Sequence, residues 1–162
     1  MDEVTIKGIR AELGYDPLTG HFWWKCGKPG RRKGLIMKAK RHCYLQITYN
    51  YKVYRAHRLA FLLMGENLPD NIDHINGDPS DNRWCNLRPC SHQENLRNTK
   101  KRSDNTSGYK GVCWHSQMKK WRAYIVVNGG QKSLGLFDTK EEASLAYRTA
   151  AEKFYGGFHR YE

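Results

Sequence analysis

Residues 72–95 read IDHINGDPSDNRWCNLRPCSHQEN, and this stretch decides the predicted fold. Residues 72–75 have the composition of a strand, 76–83 form a polar turn with Gly and Pro, and 86–88 form a second strand. Ser91 and Glu94 make a capping box, which predicts that a helix carrying Asn95 begins here. The stretch therefore predicts a strand–turn–strand–helix unit.

The same stretch carries polar side chains that a buried core would not require. A neutral imidazole at His74 can take a proton from water, and carboxylate or amide oxygens suit a divalent cation. We therefore expect Asp73 and Asn95 to offer oxygens to one ion, most suitably Mg²⁺, with Mn²⁺ as the alternative. Asn86 is better suited to bracing the turn or orienting His74. Asp73 and His74 point to opposite faces of a regular strand, so they share a site only where the strand twists or bulges.

The net charge of +12 predicts a polyanionic partner, first of all nucleic acid. Residues 1–56 hold 12 Lys/Arg against 4 Asp/Glu, residues 57–103 hold 7 against 6, and residues 104–162 hold 9 against 6. The site thus lies in a nearly neutral segment, while its neighbours supply the attraction for phosphates.

Other compositional features exclude several classes of protein. The five Cys form no C-x-x-C pair, so we expect reduced thiols and no structural zinc. No apolar run approaches the ~18 residues of a membrane span, and the N-terminus has no secretory signal. We expect a cytoplasmic protein of a bacterial or phage-infected host cell.

The N-terminal region predicts a short helix over 4–14, a turn over 16–20 and a strand over 21–25. Residues 27–34, GKPGRRKG, form a basic Gly-rich loop, which either contacts phosphates or is a solvated surface loop. A hairpin follows, with strands at 44–48 and 52–55, and then an apolar helix over 57–64 that Gly65 ends.

The C-terminal region has a different pattern after a polar, basic linker. Three strands are predicted at 111–115, 121–127 and 132–137, and Thr139 with Glu142 is a second capping box. The helix that follows has an apolar stripe, which must lie on the three-stranded sheet to be buried.

Residues 57–98, with HRLA, IDHINGD, DNRWCNLR and SHQEN, resemble the ββα-metal nucleases known as HNH endonucleases, specifically the phage and intron-encoded homing type. The resemblance implies that His74 is the general base, that Asp73 and Asn95 hold one divalent metal, and that Asn86 supports the loop. Asn95 departs from the His that gives the motif its third letter, which leaves His92 as an alternative ligand.

Residues 105–157, with NTSGYKGVCWH, KKWRAYIVV and LGLFDTKEEASLAYRTAAEKFYGG, resemble the APETALA-type DNA-binding domain of plant ethylene-response factors. That domain lays its three-stranded sheet in the major groove. The alternation in 121–127 turns Arg122 and Tyr124 away from the helix. Arg122 is the only Arg on these strands, so phosphate anchoring is favoured over base reading.

The predicted fold class is α+β, a ββα-metal nuclease module followed by a small three-stranded antiparallel sheet packed on one helix. The predicted domains are a basic β-rich DNA-contacting region at 1–56, the nuclease module at 57–98, a basic linker at 99–108 and the DNA-binding domain at 109–162. Arg58, Arg83 and Arg88 either bind phosphate or pair with Asp78 or Asp81. The residues predicted to contact DNA are Arg31, Arg32, Lys33, Arg58, Arg88, Lys100, Lys101, Arg102, Lys110, His115, Lys119, Arg122, Tyr124 and Lys132.

The predicted function is a metal-dependent homing-type endonuclease that nicks duplex DNA. We expect a monomer with no obligate protein partner and no membrane association. A DNA-binding regulatory protein with an inactive nuclease module is the alternative. An RNA-directed protein is disfavoured because no aromatic RNA-binding strand motif occurs.

Overall fold

The computed structural model describes residues 2–39, 42–99, 101 and 103–158. The chain divides into two compact units, Met1–His92 and Gln93–Glu162. In the described ranges, no helix has the length and apolar character needed to cross a bilayer.

The first unit is built from short strands and two helices around one apolar core. Its elements are α1 (Glu3–Glu12), β1 (Leu13–Tyr15), β2 (Phe22–Trp24), β3 (Ile36–Met37), β4 (Gln46–Tyr49), β5 (Lys52–Arg55), α2 (Ala56–Met64), β6 (Asn71–His74) and β7 (Leu87–Cys90). The strands form a three-stranded sheet in the order β1-β2-β3 and two antiparallel pairs, β4-β5 and β6-β7.

Helix α2 is the centre of this core and matches the predicted helix closely. Leu59 and Ala60 are completely buried in it, together with Phe22 of β2 and Ile9 of α1. Gly65 ends α2 in the left-handed conformation, where its missing Cβ removes the steric cost. Burial of α2 holds the hairpin before it and the β6-β7 pair after it on one scaffold.

The β6-β7 pair is shifted from its prediction, since β6 covers Asn71–His74 rather than 72–75 and β7 covers Leu87–Cys90 rather than 86–88. Residues 84–86 form a single 3-10 turn (Trp84–Asn86) before β7 begins at Leu87. The backbone N–H of Trp84 donates to the carbonyl of Pro17, which ties this turn to the earlier turn at residues 16–20. Gly20 lies so close to the backbone of Asn82 and Arg83 that an added Cβ would be 2.5 Å from it.

The second unit consists of α3 (His92–Arg97), β8 (Val112–His115), β9 (Lys120–Val127), β10 (Gly130–Phe137) and α4 (Lys140–Tyr155). Helix α3 begins at the boundary between the units, and its other residues belong to the second. Strand β9 lies between β8 and β10, both antiparallel to it. Thr139 and Glu142 make both hydrogen bonds of the predicted capping box.

Helix α4 packs its apolar stripe on this sheet, as predicted. Ala143, Tyr147 and Ala151 are buried in clusters with Ala123 and Ile125 of β9. Strand β10 begins two residues earlier than predicted because Asn128 and Gly129, both with positive φ, complete the turn by themselves. The α+β class, with a three-stranded sheet on one helix, is therefore confirmed.

Candidate functional site

Asp73 and His74 are the last two residues of β6, and both are almost completely buried. Their relative exposures are 4% and 5%. Asp73 pairs with Arg88 across the sheet, and His74 pairs with Leu87. Beyond His74 the chain turns at once, since the N–H of Gly77 donates to the carbonyl of His74. The two side chains thus lie where the strand gives way to the loop.

The His74 imidazole is packed among aromatic rings. The ring of His57, on α2, meets it edge-on at 5.2 Å between centroids, and Tyr44 lies 5.9 Å from it. Burial lowers the pKa of His74, while the neighbouring Asn82 side chain and the charge of Asp73 act in the opposite direction. The pKa of His57 is lowered to about 3, mainly by burial and then by His74 and two neighbouring arginines. Both imidazoles are therefore neutral near pH 7.

Arg88 holds the carboxylate of Asp73. Its Nε and Nη2 both donate to Oδ2 of Asp73, at 2.8 and 2.7 Å. The sequence anticipated Asp78 or Asp81 as partners of this arginine, whereas its partner is the predicted metal ligand itself. A buried carboxylate needs such a charge-assisted contact, because desolvation penalises an uncompensated anion.

Asn86 spans the loop between the two strands with its side chain. Its Oδ1 accepts from the backbone N–H of Asn76 at 2.9 Å, and its Nδ2 donates to the carbonyl of Asp81 at 2.8 Å. The backbone carbonyl of Asn86 accepts from the N–H of Ile75. These bonds join the residues after β6 to those before β7, so Asn86 makes the contacts of a loop brace.

Asn95 lies on α3 and belongs to the second unit, whereas Asp73 belongs to the first. The predicted sharing of one metal by Asp73 and Asn95 therefore stays a prediction. His92, the alternative ligand, is exposed at the start of α3. Across the part of the chain that the structure describes, no three His, Cys, Asp or Glu side chains group as metal ligands. One buried carboxylate fits an ion that keeps most of its coordination for water and phosphate oxygens, as Mg²⁺ does.

The side chains of the first unit that were predicted to contact DNA differ in where they lie, and Arg83, predicted to bind phosphate or pair with Asp78 or Asp81, does the latter. Arg58 donates to the carbonyls of Pro69 and Asp70, and Arg83 pairs with Asp81 at 2.6 Å. Arg31 is turned inward against Glu12, while Arg32 and Lys33 are exposed.

The basic side chains around residues 97–110 are partly engaged by the protein's own backbone. Lys110 donates to the carbonyls of Arg97 and Thr99, and Lys101 donates to that of Gly108. Lys100 and Arg102, also predicted to contact DNA, lie outside the described residues.

The outer face of the second sheet brings together several of the predicted DNA contacts. Arg122 and Tyr124 follow each other on that face of β9, with the Arg122 guanidinium 5.8 Å from the Tyr124 ring. His115 of β8 pairs with Lys120, and Lys119 lies in the tight turn between these strands. Lys132 pairs with Ile125 and extends over the Phe154 ring of α4, so it lies on the helix side of the sheet.

Sequence reasoning missed His57, Tyr44 and Asn82 as neighbours of His74. His57 was included only within the HRLA motif, and its position at the start of an apolar helix was the available signal. Nothing local marks Tyr44, which reaches His74 through the packing of a separate element, whereas Asn82 lies in the loop that follows β6 but was given no role.

These features define the class of protein. The sequence profile of the HNH endonuclease family matches residues 54–97, and that of the AP2 domain matches residues 107–157. The chain belongs to the HNH endonuclease family and carries an AP2 domain after the HNH module. This assignment supports a nuclease and DNA-binding role, and HNH nucleases generally use a divalent metal.

Three relatives match the chain to different extents. The chain is 34% identical to Protein 3.8 of Escherichia phage T7 over 68% of this chain and 93% of that protein. It is 27% identical to an uncharacterized HNH endonuclease of Acanthamoeba polyphaga mimivirus, over 94% of this chain and 74% of the relative. It is 32% identical to an AP2-like ethylene-responsive transcription factor of Arabidopsis thaliana, over 84% of this chain and 24% of that protein. No solved structure matches the chain significantly.

Proposed function

We propose that this protein is a metal-dependent DNA endonuclease of the homing type, which hydrolyses a phosphodiester in duplex DNA and nicks one strand at each site. The observation that carries the proposal is the pair of consecutive buried side chains, Asp73 and His74, at the end of β6 within the HNH match. An AP2 domain in the same chain supports DNA as the substrate.

His74 is the general base in this proposal. Its imidazole takes a proton from the attacking water, which requires the neutral ring that burial favours. The contacts with His57 and Tyr44 fix the plane of the ring, so the accepting nitrogen keeps one direction. Asn86 braces the loop that begins directly after His74.

Asp73 and Asn95 would hold the divalent ion, for which we propose Mg²⁺, with Mn²⁺ as a substitute. When bound, such an ion stabilises the charge that develops on the phosphate and on the leaving 3′-oxygen. Arg88 keeps Oδ2 of Asp73 in place through two hydrogen bonds, which orients the carboxylate. The products would carry a 5′-phosphate and a 3′-hydroxyl.

Affinity for DNA is proposed to come from cationic side chains of both units, among them Arg122, which lies beside Tyr124 on the outer face of the AP2 sheet. Such contacts are largely sequence-independent and weaken with salt. A monomer with one catalytic histidine cuts one strand per encounter, which is why nicking is the expected product.

Relaxation of a supercoiled plasmid tests the proposal. Wild-type protein with Mg²⁺ should convert supercoiled plasmid to the open-circular form, and EDTA should abolish the conversion. His74→Ala should lose the activity but keep its affinity for DNA. His21→Ala, a substitution outside the motif, is the matched control and should retain activity.

Retention of nicking by His74→Ala would contradict the assignment of the base. DNA binding by the wild type without cleavage in either Mg²⁺ or Mn²⁺ would instead support the alternative, a DNA-binding regulatory protein with an inactive nuclease module. If the wild type does nick DNA, sequencing the cut ends on a random library would give the target preference.

A further inference from the structure

The basic loop at residues 27–34 divides its four cationic side chains into two pairs. Lys28 and Arg31 both turn back to the carboxylate of Glu12, at the end of α1. Arg32 and Lys33, the next two residues, are exposed. Among the described side chains, neither Arg32 nor Lys33 pairs with a carboxylate. The loop therefore has an inner pair of cations and an outer pair.

The Arg31 side chain contacts one carboxylate and two aromatic rings. Besides the ion pair with Glu12, its guanidinium lies 4.3 Å from the centroid of the Trp24 ring and 4.8 Å from that of Tyr49. Only 17% of its side chain is exposed. A planar guanidinium can stack on aromatic rings while it pairs with a carboxylate, which an ammonium cannot reproduce.

The backbone of the loop is closed by its own turn. Lys28 and Arg31 exchange two backbone hydrogen bonds, at 2.8 and 3.1 Å, around Pro29 and Gly30. Gly30 has φ of 75°, as the third position of a type II turn requires. The N–H of Gly34 then donates to the carbonyl of Trp24, which returns the chain to β2.

We propose that residues 27–34 form a preorganised phosphate-binding loop for duplex DNA, in which Arg32 and Lys33 contact the backbone and Arg31 and Glu12 are positioning residues. Arg31 was predicted from the sequence to contact DNA directly, and its inward contacts reassign it. Because the loop is already ordered, binding loses less conformational freedom than it would with a mobile basic segment. The inference rests on the proposed function only in taking duplex DNA as the partner.

The direct contacts are tested by the salt dependence of binding. The full chain is titrated against a short fluorescent duplex in EDTA, so that cleavage does not enter, at several NaCl concentrations. Arg32→Ala/Lys33→Ala should flatten the log–log slope by about two, since each phosphate contact contributes about 0.9. Removing one such side chain should therefore reduce the ratio of the affinity at 0.1 M salt to the affinity at 1 M salt by roughly eightfold.

Lys7→Ala is the matched control, because Lys7 is an exposed cation on α1 outside the loop. Lys7→Ala removes one positive charge, as the single substitution Arg32→Ala does. It should change the slope much less than that single substitution. An unchanged slope for the Arg32→Ala/Lys33→Ala variant, or an equal change for Lys7→Ala, would overturn the direct contacts.

The positioning role is tested by whether one substitution raises or lowers the affinity for DNA. Glu12→Gln removes a negative charge, so electrostatics alone predicts tighter binding to DNA. The proposal predicts weaker binding, because Arg31 and Lys28 lose the carboxylate that holds the loop. Binding as tight as wild type or tighter would overturn the positioning role.

A double-mutant cycle separates positioning from direct contact. Arg31→Met should weaken binding in the wild-type background but have little further effect in the Arg32→Ala/Lys33→Ala background, whereas additive losses would show that Arg31 contacts phosphate itself. Thermal unfolding of each variant checks the fold, and Arg31→Lys is the substitute if Arg31→Met does not fold. It keeps the charge but not the planar stacking, and should bind more weakly than wild type.

The two proposals fail in different ways. If the wild type binds duplex but does not nick plasmid, the nuclease function fails while the loop variants still report on the loop. If the wild type nicks plasmid and the loop variants bind normally, this inference alone fails. Absence of duplex binding by the wild type overturns both.

Discussion

Arg88 faces Asp73 across the antiparallel β6-β7 pair and donates two hydrogen bonds to one oxygen of its carboxylate, at 2.8 and 2.7 Å. Both side chains are largely buried, with 17% and 5% exposed. The arginine therefore compensates a buried charge at the proposed metal ligand and fixes its orientation. This contact also makes Arg88 a weaker candidate for binding DNA phosphates than its sequence context indicated.

Replacing Arg88 should destabilise the first unit strongly. Arg88→Met leaves the buried Asp73 carboxylate without its main cationic partner, which typically costs about 3–5 kcal/mol in free energy of unfolding. Urea unfolding monitored by tryptophan fluorescence measures the loss. Arg83→Ala is the matched control, since the Arg83–Asp81 pair is more exposed and solvent screens it. Equal losses in the two variants would contradict the buried role of Arg88.

Removing the Asn86 side chain should weaken the loop without removing any proposed catalytic atom. Asn86→Ala deletes its hydrogen bonds to the backbone of Asn76 and Asp81, which are part-buried and contribute about 0.5–1.5 kcal/mol each. We expect a lower melting temperature together with slower plasmid nicking. Normal nicking by a destabilised variant would show that the brace serves stability alone.

Stability of the first unit should fall in acid because of His57. Its pKa is 6.5 when unfolded and about 3 when folded, so the unfolded chain takes up the proton first as the pH falls. The contribution of the neutral His57 to the free energy of unfolding is fully present above pH 6.5. It is lost as the pH falls from 6.5 to about 3, at up to about 1.4 kcal/mol per pH unit. Denaturant titrations across this range should show a smaller pH dependence in His57→Gln. An identical dependence would contradict the burial of a neutral imidazole.

Gly20 should not tolerate a side chain. A Cβ there would lie 2.5 Å from the backbone of residues 82 and 83, and its φ of 72° is unfavourable for alanine. Gly20→Ala should therefore cost about 2–5 kcal/mol, the sum of overpacking and conformational cost. Gly65→Ala is the control, because Gly65 has a similar φ of 83° with open space around it, and should cost only about 1–2 kcal/mol.

Arg122 and Lys132 should differ in their effects on DNA binding. Arg122 lies on the outer face of the sheet, while Lys132 lies over Phe154 on the helix side. If Arg122 reads a base, Arg122→Ala costs about 1–3 kcal/mol at one position of the site. Binding to a library of duplexes measures this, with Lys132→Ala as the control that should bind nearly normally. Equal losses on all sequences would show that Arg122 only anchors the sheet on phosphates.

Local sequence signals were sufficient for most of the elements but not for β1 and β3, since residues 13 and 14, predicted to end the first helix, begin β1, and no strand was predicted at Ile36–Met37. The apolar run that ends at Gly65 predicted α2, and the Thr139–Glu142 capping box predicted the start of α4, because both depend on neighbouring residues only. The 3-10 turn at Trp84–Asn86 was not predicted, since it depends on a backbone bond from Trp84 to the distant Pro17. The early start of β10 was missed because two residues suffice for its turn.

The sequence by itself determined the family, the order of the elements and the residue types of the site, because motifs and periodicity act over short separations along the chain. Only the tertiary structure decided which charges are used internally and which remain exposed. Arg88 is paired with Asp73, Arg31 with Glu12 and two aromatic rings, and Lys132 lies over Phe154. A cation's partner depends on which distant elements pack beside it. Its own neighbours in the chain do not specify that packing.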